Sequence, residues 1–291
     1  MTNTIIFGAG MGGQSAYTRL KDTHKIIGFA DNNPALHGQT LLALPIYSAQ
    51  QLKGLAADTQ ILIASEFSEQ ISKQLADLQL CTPFRTLPAH MIKPIHFSDS
   101  PDLKFKAKKV LKQISRILTN SKIRHYIDAG TLLGIYRDRE LIAWDDDLDF
   151  AVHSDDCFSC RKILENYLPT LQRLSGKTWS LETIKNANAW GAVPEGAIRA
   201  LKLKCDSPES GYPMIDFFIK YNHGPWMDYC LASRGIRMPS LHFKGLSQFD
   251  FEDMTLTLPG EVEQYLQSHY GDWRTPKKDW SLTELTNATV F

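Results

Sequence analysis

The chain has 291 residues, 43% of them hydrophobic and 22% charged, and its 32 Lys and Arg balance 32 Asp and Glu. Zero net charge argues against a general nucleic-acid binder or a polybasic membrane binder, and no apolar run reaches the roughly 18 residues of a membrane span. The length suits two domains better than one.

The opening MTNTIIFGAG lacks the basic n-region and cleavage site of a signal peptide, so a soluble cytoplasmic protein is expected, with at most peripheral membrane contact. Thr4 to Phe7 is a β-branched and aromatic run, a strand signal. Gly8, Gly10 and Gly13 then match G-x-G-x-x-G. Such glycines permit a tight turn, close backbone approach to a ligand, and packing of the next helix on the strand. A helix is predicted from about Gly12 to Leu20 and a second strand over Lys25 to Ala30, ending at Asp31. This order is that of a Rossmann first unit, with Asp31 placed to accept hydrogen bonds from a ribose.

The rhythm continues. Pro45 to Ser48 precedes a helix-like Ala49 to Ala57, Ile61 to Ala64 reads as a third strand, Glu69 to Leu80 as a helix, and Phe84 to Leu87 as a fourth strand. The alternation implies a small parallel α/β domain over 1–95. It is too short for a full dehydrogenase, so no redox cofactor is expected. The glycine turn serves either nucleotide or nucleotide-sugar binding or folding alone. IIFGAG, IIGFADNNP, Gly38 and LPIYS resemble the N-terminal Rossmann-like domain of bacterial sugar-modifying acetyltransferases of the PglD kind. That resemblance implies contact with a nucleotide-linked sugar.

His90 to Asp102 carries Pro, Ser and Asp without a sustained period and reads as a linker. From Leu103, apolar residues at Val110, Leu111, Ile114, Ile117 and Leu118 predict an amphipathic helix with a solvated Lys-rich face. His125 to Ile127 reads as a strand. Cys157 and Cys160 form CxxC at a predicted helix start, without a second CxxC or a His pair, so ordinary helix positions are expected there. The odd cysteine count, five, gives no disulfide framework.

The stretch Tyr126 to Val152, YIDAGTLLGIYRDRELIAWDDDLDFAV, is the densest in chemistry. Gly130-Thr131 suggests a strand turning into a helix, whose first free N–H groups favour an anion. Gly130 lets a phosphate approach; the Thr131 hydroxyl either bonds it or caps the helix. Arg137 either clamps a phosphate, neutralises the acids, or lies on the surface. Asp145, Asp146, Asp147 and Asp149 follow within five positions and run into an apolar strand. So many carboxylates repel one another unless a cation joins them. Strand alternation puts Asp147 and Asp149 on one face, with Asp145 sharing their parity. Hard Mg²⁺ or Mn²⁺ suits such oxygen ligands. Asp146 is expected to face away, as a capping or supporting residue.

Gly-Thr at a helix start followed by D-x-D on a strand is the pattern of the nucleotidyltransferase fold, which usually adds a third acid from a neighbouring strand. Asp216, alone in the apolar MIDFFIK, is the candidate. Lys202 and Lys204, in AIRALKLK, are weaker phosphate candidates than Arg137. From about residue 122 the chain resembles the LicD/fukutin family of cytidine-diphosphate-dependent phosphotransferases, through AGTLLGIYRDRELIAWDDDLDFAV, MIDFF and LPGEVEQYLQSHYGDWRTP. It departs from that family at Ala143, where Pro is usual, and at Arg139 and Glu140. The resemblance implies a C-terminal α+β nucleotidyltransferase-fold domain over 103–291. It also implies that Thr131 belongs to the Gly-Thr turn, Asp147 and Asp149 to the metal pair, and Asp216 to the later acid.

The function implied is divalent-metal-dependent transfer of a phosphorylated headgroup, such as phosphocholine, from a CDP-linked donor to a hydroxyl of a cell-surface glycan or glycolipid precursor. Asp145 or Asp149 is the candidate proton acceptor. Two alternatives stand beside it: a nucleotidyltransferase moving an NMP group, and a non-catalytic sugar-nucleotide sensor. Aromatics at Trp179, Trp190, Tyr212, Trp226 and Tyr229 either line a choline pocket or form core. The turn His223 to Trp226 is expected to border the site, and Leu282 to Phe291 to be peripheral. Headgroup, acceptor and oligomeric state are not encoded in any motif.

Overall fold

Buried apolar runs separated by helix-period segments build the first of two units, Met1–Ile95; the second is His96–Phe291. This computed structural model describes residues 2–290 apart from 57, 66, 81, 93–95, 207–210, 232–233, 279, 281–283 and 286. Cys81 and part of the predicted linker therefore lie outside the described residues.

In the first unit, β1 (Asn3–Phe7), α1 (Met11–Leu20), β2 (Lys25–Ala30), β3 (Thr40–Leu41), β4 (Leu44–Tyr47), β5 (Thr59–Ile63), α2 (Ser68–Asp77), β6 (Phe84–Thr86) and α3 (Ala89–Ile92) follow in order. The sheet order is β3-β4-β2-β1-β5-β6, parallel except for the β3–β4 hairpin. Both faces of its central strands are covered, which explains their unbroken apolar runs. Ile5, Phe7, Ile61 and Ile63 pack on one side, and Ile6, Phe29 and Leu62 on the other. Residues Ala49–Gly54 form a 3-10 helix with a Ser48–Gln51 capping box, where the sequence suggested a longer helical stretch.

The glycine turn is a packing necessity. Gly8 has φ of +121°, and a Cβ there would lie 2.5 Å from the Ala64 carbonyl oxygen; a Cβ on Gly13 would run into the Gly8 carbonyl. Both rule out larger residues whatever the ligand.

The second unit begins at His96, inside the segment read as linker. Phe97 is buried, and its N–H donates to the Asp145 carbonyl at 2.8 Å. Next come α4 (Pro101–Asn120), β7 (His125–Ile127), α5 (Ala129–Asp138), β8 (Asp147–His153), α6 (Cys157–Ser175), β9 (Trp179–Lys185), β10 (Ile198–Cys205), β11 (Met214–His223), β12 (Trp226–Leu231) and β13 (Arg234–Pro239). The chain closes with α7 (Leu241–Lys244), β14 (Ser247–Phe251), β15 (Met254–Leu258), α8 (Val262–Tyr270) and β16 (Ala288–Val290). The main sheet runs β16-β13-β12-β11-β10-β9, with β8 pairing β11 and β7. Residues 288–290 thus form an edge strand, not a peripheral tail.

The α4 stripe buries Leu103, Ala107, Val110, Leu111, Ile114 and Leu118. Four of its five lysines are ion-paired, Lys104 and Lys108 with Glu140, Lys106 with Asp102, and Lys112 with Asp253, while Lys109 lies over the Phe105 ring. Cys157 and Cys160 are free, buried thiols on α6. Burial pushes both thiols up, Cys157 to about 11, as expected of packing residues. Among the described residues no helix is long and apolar enough to cross a membrane.

Candidate active site

The chain reverses at Asp128, the residue before α5, because Ala129 takes a left-handed backbone (φ +42°). β8 pairs antiparallel with β7 and in parallel with β11, so the β7–α5 corner, the start of β8 and the start of β11 meet. The parallel register sets Asp147 opposite Met214 and Asp149 opposite Asp216. Carboxylate oxygens of Asp147, Asp149 and Asp216 come within 4.8 Å of one another. They line a cavity of about 460 Å³, together with Asp128, Gly130, Arg137, Asp145 and the aromatic segment described below.

The acids are electrostatically frustrated. Burial, then Asp145, Asp146 and Asp216, drives the Asp147 carboxyl well above the usual carboxylate range. Burial, then Asp147 and Asp145, does the same to Asp149. Burial and the Asp146 charge push Asp145 up to about 6. Asp216 is raised by burial, opposed by Lys202, whose ammonium lies 2.9 Å from Oδ2. The other oxygen, Asp216 Oδ1, is buried without a hydrogen-bond partner. An orphaned carboxylate oxygen beside two destabilised carboxylates is what a hard divalent cation would satisfy, so the residues present fit Mg²⁺ or Mn²⁺.

Thr131 is buried, and its hydroxyl accepts the Asp149 N–H at 2.9 Å. It neither caps α5 nor lines the cavity; it fixes the backbone of a candidate ligand. Gly130 does line the cavity, and a Cβ on it would collide with the Asp145 carboxylate. Arg137 lines the cavity too. Its guanidinium donates to Asp138 at 2.8 and 2.7 Å and to the Trp273 carbonyl at 3.1 Å. It is a strut between α5 and the segment after α8 before it is anything else. Asp146 is not at the cavity wall, yet its carboxylate comes within 4.8 Å of Asp145 and Asp147, closer than strand alternation suggested, because β8 begins only at Asp147.

Lys202 is held by Asp216, and Lys204 pairs with Glu182 across the β9–β10 ladder; neither lines the cavity. Tyr229 lines it, whereas Trp179 is core. His223 binds Asp228 at 2.8 Å at the far end of β11, so the turn from His223 to Trp226 does not border the site.

In the first unit, both Asp31 oxygens are engaged: Oδ2 accepts the Ala9 N–H and Oδ1 the Asn33 N–H, each at 2.8 Å. Asp31 shapes the glycine turn from within. Gly10 has open space around its Cα.

Several cavity residues escaped the sequence reading. Asp128, at the cavity wall, forms a buried ion pair at 2.7 Å with Lys220 behind it. Tyr265 donates to Asp128 at 2.5 Å, and the Lys220 ammonium lies 3.4 Å from the Tyr229 ring centroid. The available signal was Lys220 itself, a lone cation in an apolar run at the same parity as Asp216. Tyr270, Trp273, Trp280 and Trp144 are the aromatic part of the cavity wall, with Tyr270 packed on Trp280. Lys278 lies 5.4 Å above Trp144.

The fold and this site define an α/β unit with an acidic, cation-competent cleft at a strand–helix corner. Residues 122–261 match the LicD/FKTN/FKRP nucleotidyltransferase domain, and the second unit belongs to that family. Residues 1–82 match the C2185-like N-terminal domain. An uncharacterized protein of Rickettsia prowazekii (strain Madrid E) is 36% identical over 78 residues, 26% of this chain and 27% of that protein. One of Rickettsia typhi (strain ATCC VR-144 / Wilmington) is 34% identical over 58 residues, 20% and 19% of the two chains. The chain thus covers no more than 27% of either relative. Among solved structures, UDP-D-quinovosamine 4-dehydrogenase from Vibrio fischeri aligns with 25% identity over 30% of this chain and 78% of its own, with a TM-score of 0.26. UDP-N-acetylglucosamine 3-dehydrogenase from Acidithiobacillus ferrooxidans aligns with 9% identity over 89% and 82%, with a TM-score of 0.25.

Proposed function

We propose that the second unit transfers a phosphorylated headgroup, phosphocholine or a similar group, from a CDP-linked donor to a hydroxyl of a cell-surface glycan precursor, with Mg²⁺ or Mn²⁺ bound. The carrying observation is the convergence of Asp147, Asp149 and Asp216, with Asp216 Oδ1 lacking any partner. These three carboxylates would hold the cation. When bound, it supplies charge neutralisation to the donor phosphates and to the departing CMP oxygen.

The chain's own groups account for the rest. The first backbone N–H groups of α5, beside Gly130 at the cavity wall, receive phosphate oxygens. The acceptor oxygen attacks the headgroup phosphorus, and the bond to CMP breaks with its electron pair on CMP. The acceptor proton passes to a carboxylate. Asp145 suits that role better than Asp149, because it borders the cavity outside the cation triad and is pushed up to about 6, nearer the working pH. The aromatic wall around Tyr270 and Trp280 takes the base or headgroup. The first unit binds a nucleotide or nucleotide sugar at its glycine turn, with Gly10 as the point of close approach.

The test is incubation with CDP-choline and other CDP-linked donors, with and without Mn²⁺, and assay of free CMP. Metal-dependent CMP release, abolished by Asp147→Asn or Asp216→Asn, supports the reading. Transfer of CMP itself onto the acceptor identifies a nucleotidyltransferase instead. Full turnover in both variants refutes the assignment of the triad.

A further inference from the structure

Two tryptophans that the sequence offered for a pocket or for core, Trp190 and Trp226, serve neither. Strand alternation accounts for Trp226: Tyr229 and Leu231 of β12 line the acidic cavity, so Trp226 and Asp228 face the other side of the sheet. Trp226 stands at the tip of the β11–β12 hairpin, opposite His223. β13 brings Arg237 directly across from Asp228, and Trp190, from the turn 190–193, lies against Gly235 of the same strand.

One carboxylate organises this face. Asp228 is fully buried. Its Oδ1 accepts Arg237 Nε at 2.8 Å; its Oδ2 accepts Arg237 Nη2 and His223 Nε2, each at 2.8 Å, and the Ala192 N–H at 2.9 Å. The guanidinium carbon lies 5.7 Å from the Trp190 ring centroid and 5.8 Å from that of Trp226, within cation–π range of both. Two glycines permit the arrangement: a Cβ on Gly191 would strike the Asp228 carboxylate, and one on Gly235 the Trp190 indole. The groups so fixed are still open to solvent. Arg237 and Trp226 are 42% exposed and His223 40%. A strap that only pinned residues 186–197 to the sheet would use Trp190 and Asp228 and would leave no indole exposed at a hairpin tip.

The unused hydrogen-bonding groups describe a ligand. Arg237 Nη1 is a donor without a partner among the described residues. A carboxylate only accepts, so His223 Nε2 carries the hydrogen, and the neutral ring presents Nδ1 as an acceptor. Both side chains bind the same Asp228 oxygen, so this donor and this acceptor belong to neighbours beside an exposed indole. Asp228 already matches the Arg237 charge, which leaves little pull on an anion. A hydroxyl both accepts and donates, and a sugar ring adds an apolar C–H face that can cover an indole. We propose that Trp226, Arg237 and His223 form a second binding site, for a neutral sugar ring, on the sheet face opposite the acidic cavity. Trp226 stacks on the ring, and Arg237 Nη1 and His223 Nδ1 take its hydroxyls. The site does not depend on the reaction proposed above.

Saturation-transfer NMR on the full chain tests this, with glucose, galactose, mannose and N-acetylglucosamine as probes and glucuronate and cytidine as comparators. At least one neutral sugar is expected to show transfer at its ring C–H protons. Trp226→Ala is expected to weaken binding of that sugar about fivefold or more, as the loss of one stacking contact, with little change in Tm because the indole is already exposed. Asp216→Asn, in the cavity on the other face, is expected to bind it as wild type does. Absence of transfer from every neutral sugar overturns the proposal, and so does transfer confined to glucuronate or cytidine. Retained affinity in Trp226→Ala, or lost affinity in Asp216→Asn, puts the sugar elsewhere and overturns it too. If Trp226→Ala does not fold, His223→Phe decides. It keeps a ring and the Arg237–Asp228 pair but removes the Nδ1 acceptor, so about threefold weaker binding is expected, and wild-type affinity overturns the proposal.

Discussion

Asp149 and Asp216 stand opposite each other in the parallel β8–β11 register, although 66 positions separate them in the chain. Neither strand alone makes a site. Each contributes a carboxylate that burial raises above the ordinary range, and the pairing of the strands turns two local penalties into one shared demand for a cation.

Asp147→Asn should therefore stabilise the metal-free protein. It removes a carboxylate disfavoured by burial and by Asp145, Asp146 and Asp216. A gain of about 1 kcal/mol corresponds to a rise of roughly 2–4 °C in Tm for a domain of this size. The same variant should lose most of the Tm increase that Mn²⁺ confers on wild type. Melting curves with and without Mn²⁺ report both effects; a lower metal-free Tm would mean that the frustration is not there.

The metal response should depend on pH in a defined direction. A raised carboxyl pKa means that the folded state holds a proton the unfolded chain releases. Stability from Asp145 is thus present below its ordinary 3.8 and lost as pH rises through about 6, and Asp147 and Asp149, also raised, act in the same direction. Buried His269 opposes this: burial pushes it down to about 4, so its contribution is lost as pH falls below its ordinary 6.5. A bare melting curve mixes the two. The Tm difference between Mn²⁺-loaded and metal-free protein isolates the acids, because cations displace their protons. That difference should grow from pH 5 to pH 7.5; a flat profile would count against carboxylate ligation.

Thr131→Val tests the reassignment of Thr131 from phosphate contact to scaffold. The change is nearly isosteric but leaves the buried Asp149 N–H without its acceptor. An unsatisfied buried group costs about 1–3 kcal/mol. The prediction is a clear loss of stability together with weaker Mn²⁺ binding, since Asp149 loses its anchor. A phosphate-contacting hydroxyl would instead leave Tm intact and raise only the KM for the donor.

The acid triad was readable because strand alternation and apolar flanks are local signals, and Asp216 stood out as a charge in a buried run. The strand–glycine turn–helix order of the first unit was equally local. What escaped depends on partners distant in sequence. Asp128 drew no notice in the sequence, and only the packing of β11 and α8 beneath it shows its carboxylate facing Lys220 and Tyr265. Arg137 looked like a phosphate clamp because nothing local reveals that the Trp273 carbonyl receives its guanidinium. Asp31 sat at the expected strand end, but its oxygens were already committed to the amides of Ala9 and Asn33.

The glycine turn of the first unit allows packing and binding to be separated by position. Gly8→Ala must bring a Cβ to 2.5 Å from a backbone carbonyl at a φ of +121°, so it should destabilise that unit by several kcal/mol. Gly10→Ala meets nothing within 4 Å and lies at the N-cap of α1, so the fold should tolerate it with little change in Tm. Any loss it causes in binding of a nucleotide sugar is then a direct reading of ligand contact at the turn. Titration of UDP- and CDP-linked sugars against wild type and Gly10→Ala settles whether this glycine serves a ligand. Equal affinities in the two proteins would return the motif to folding alone.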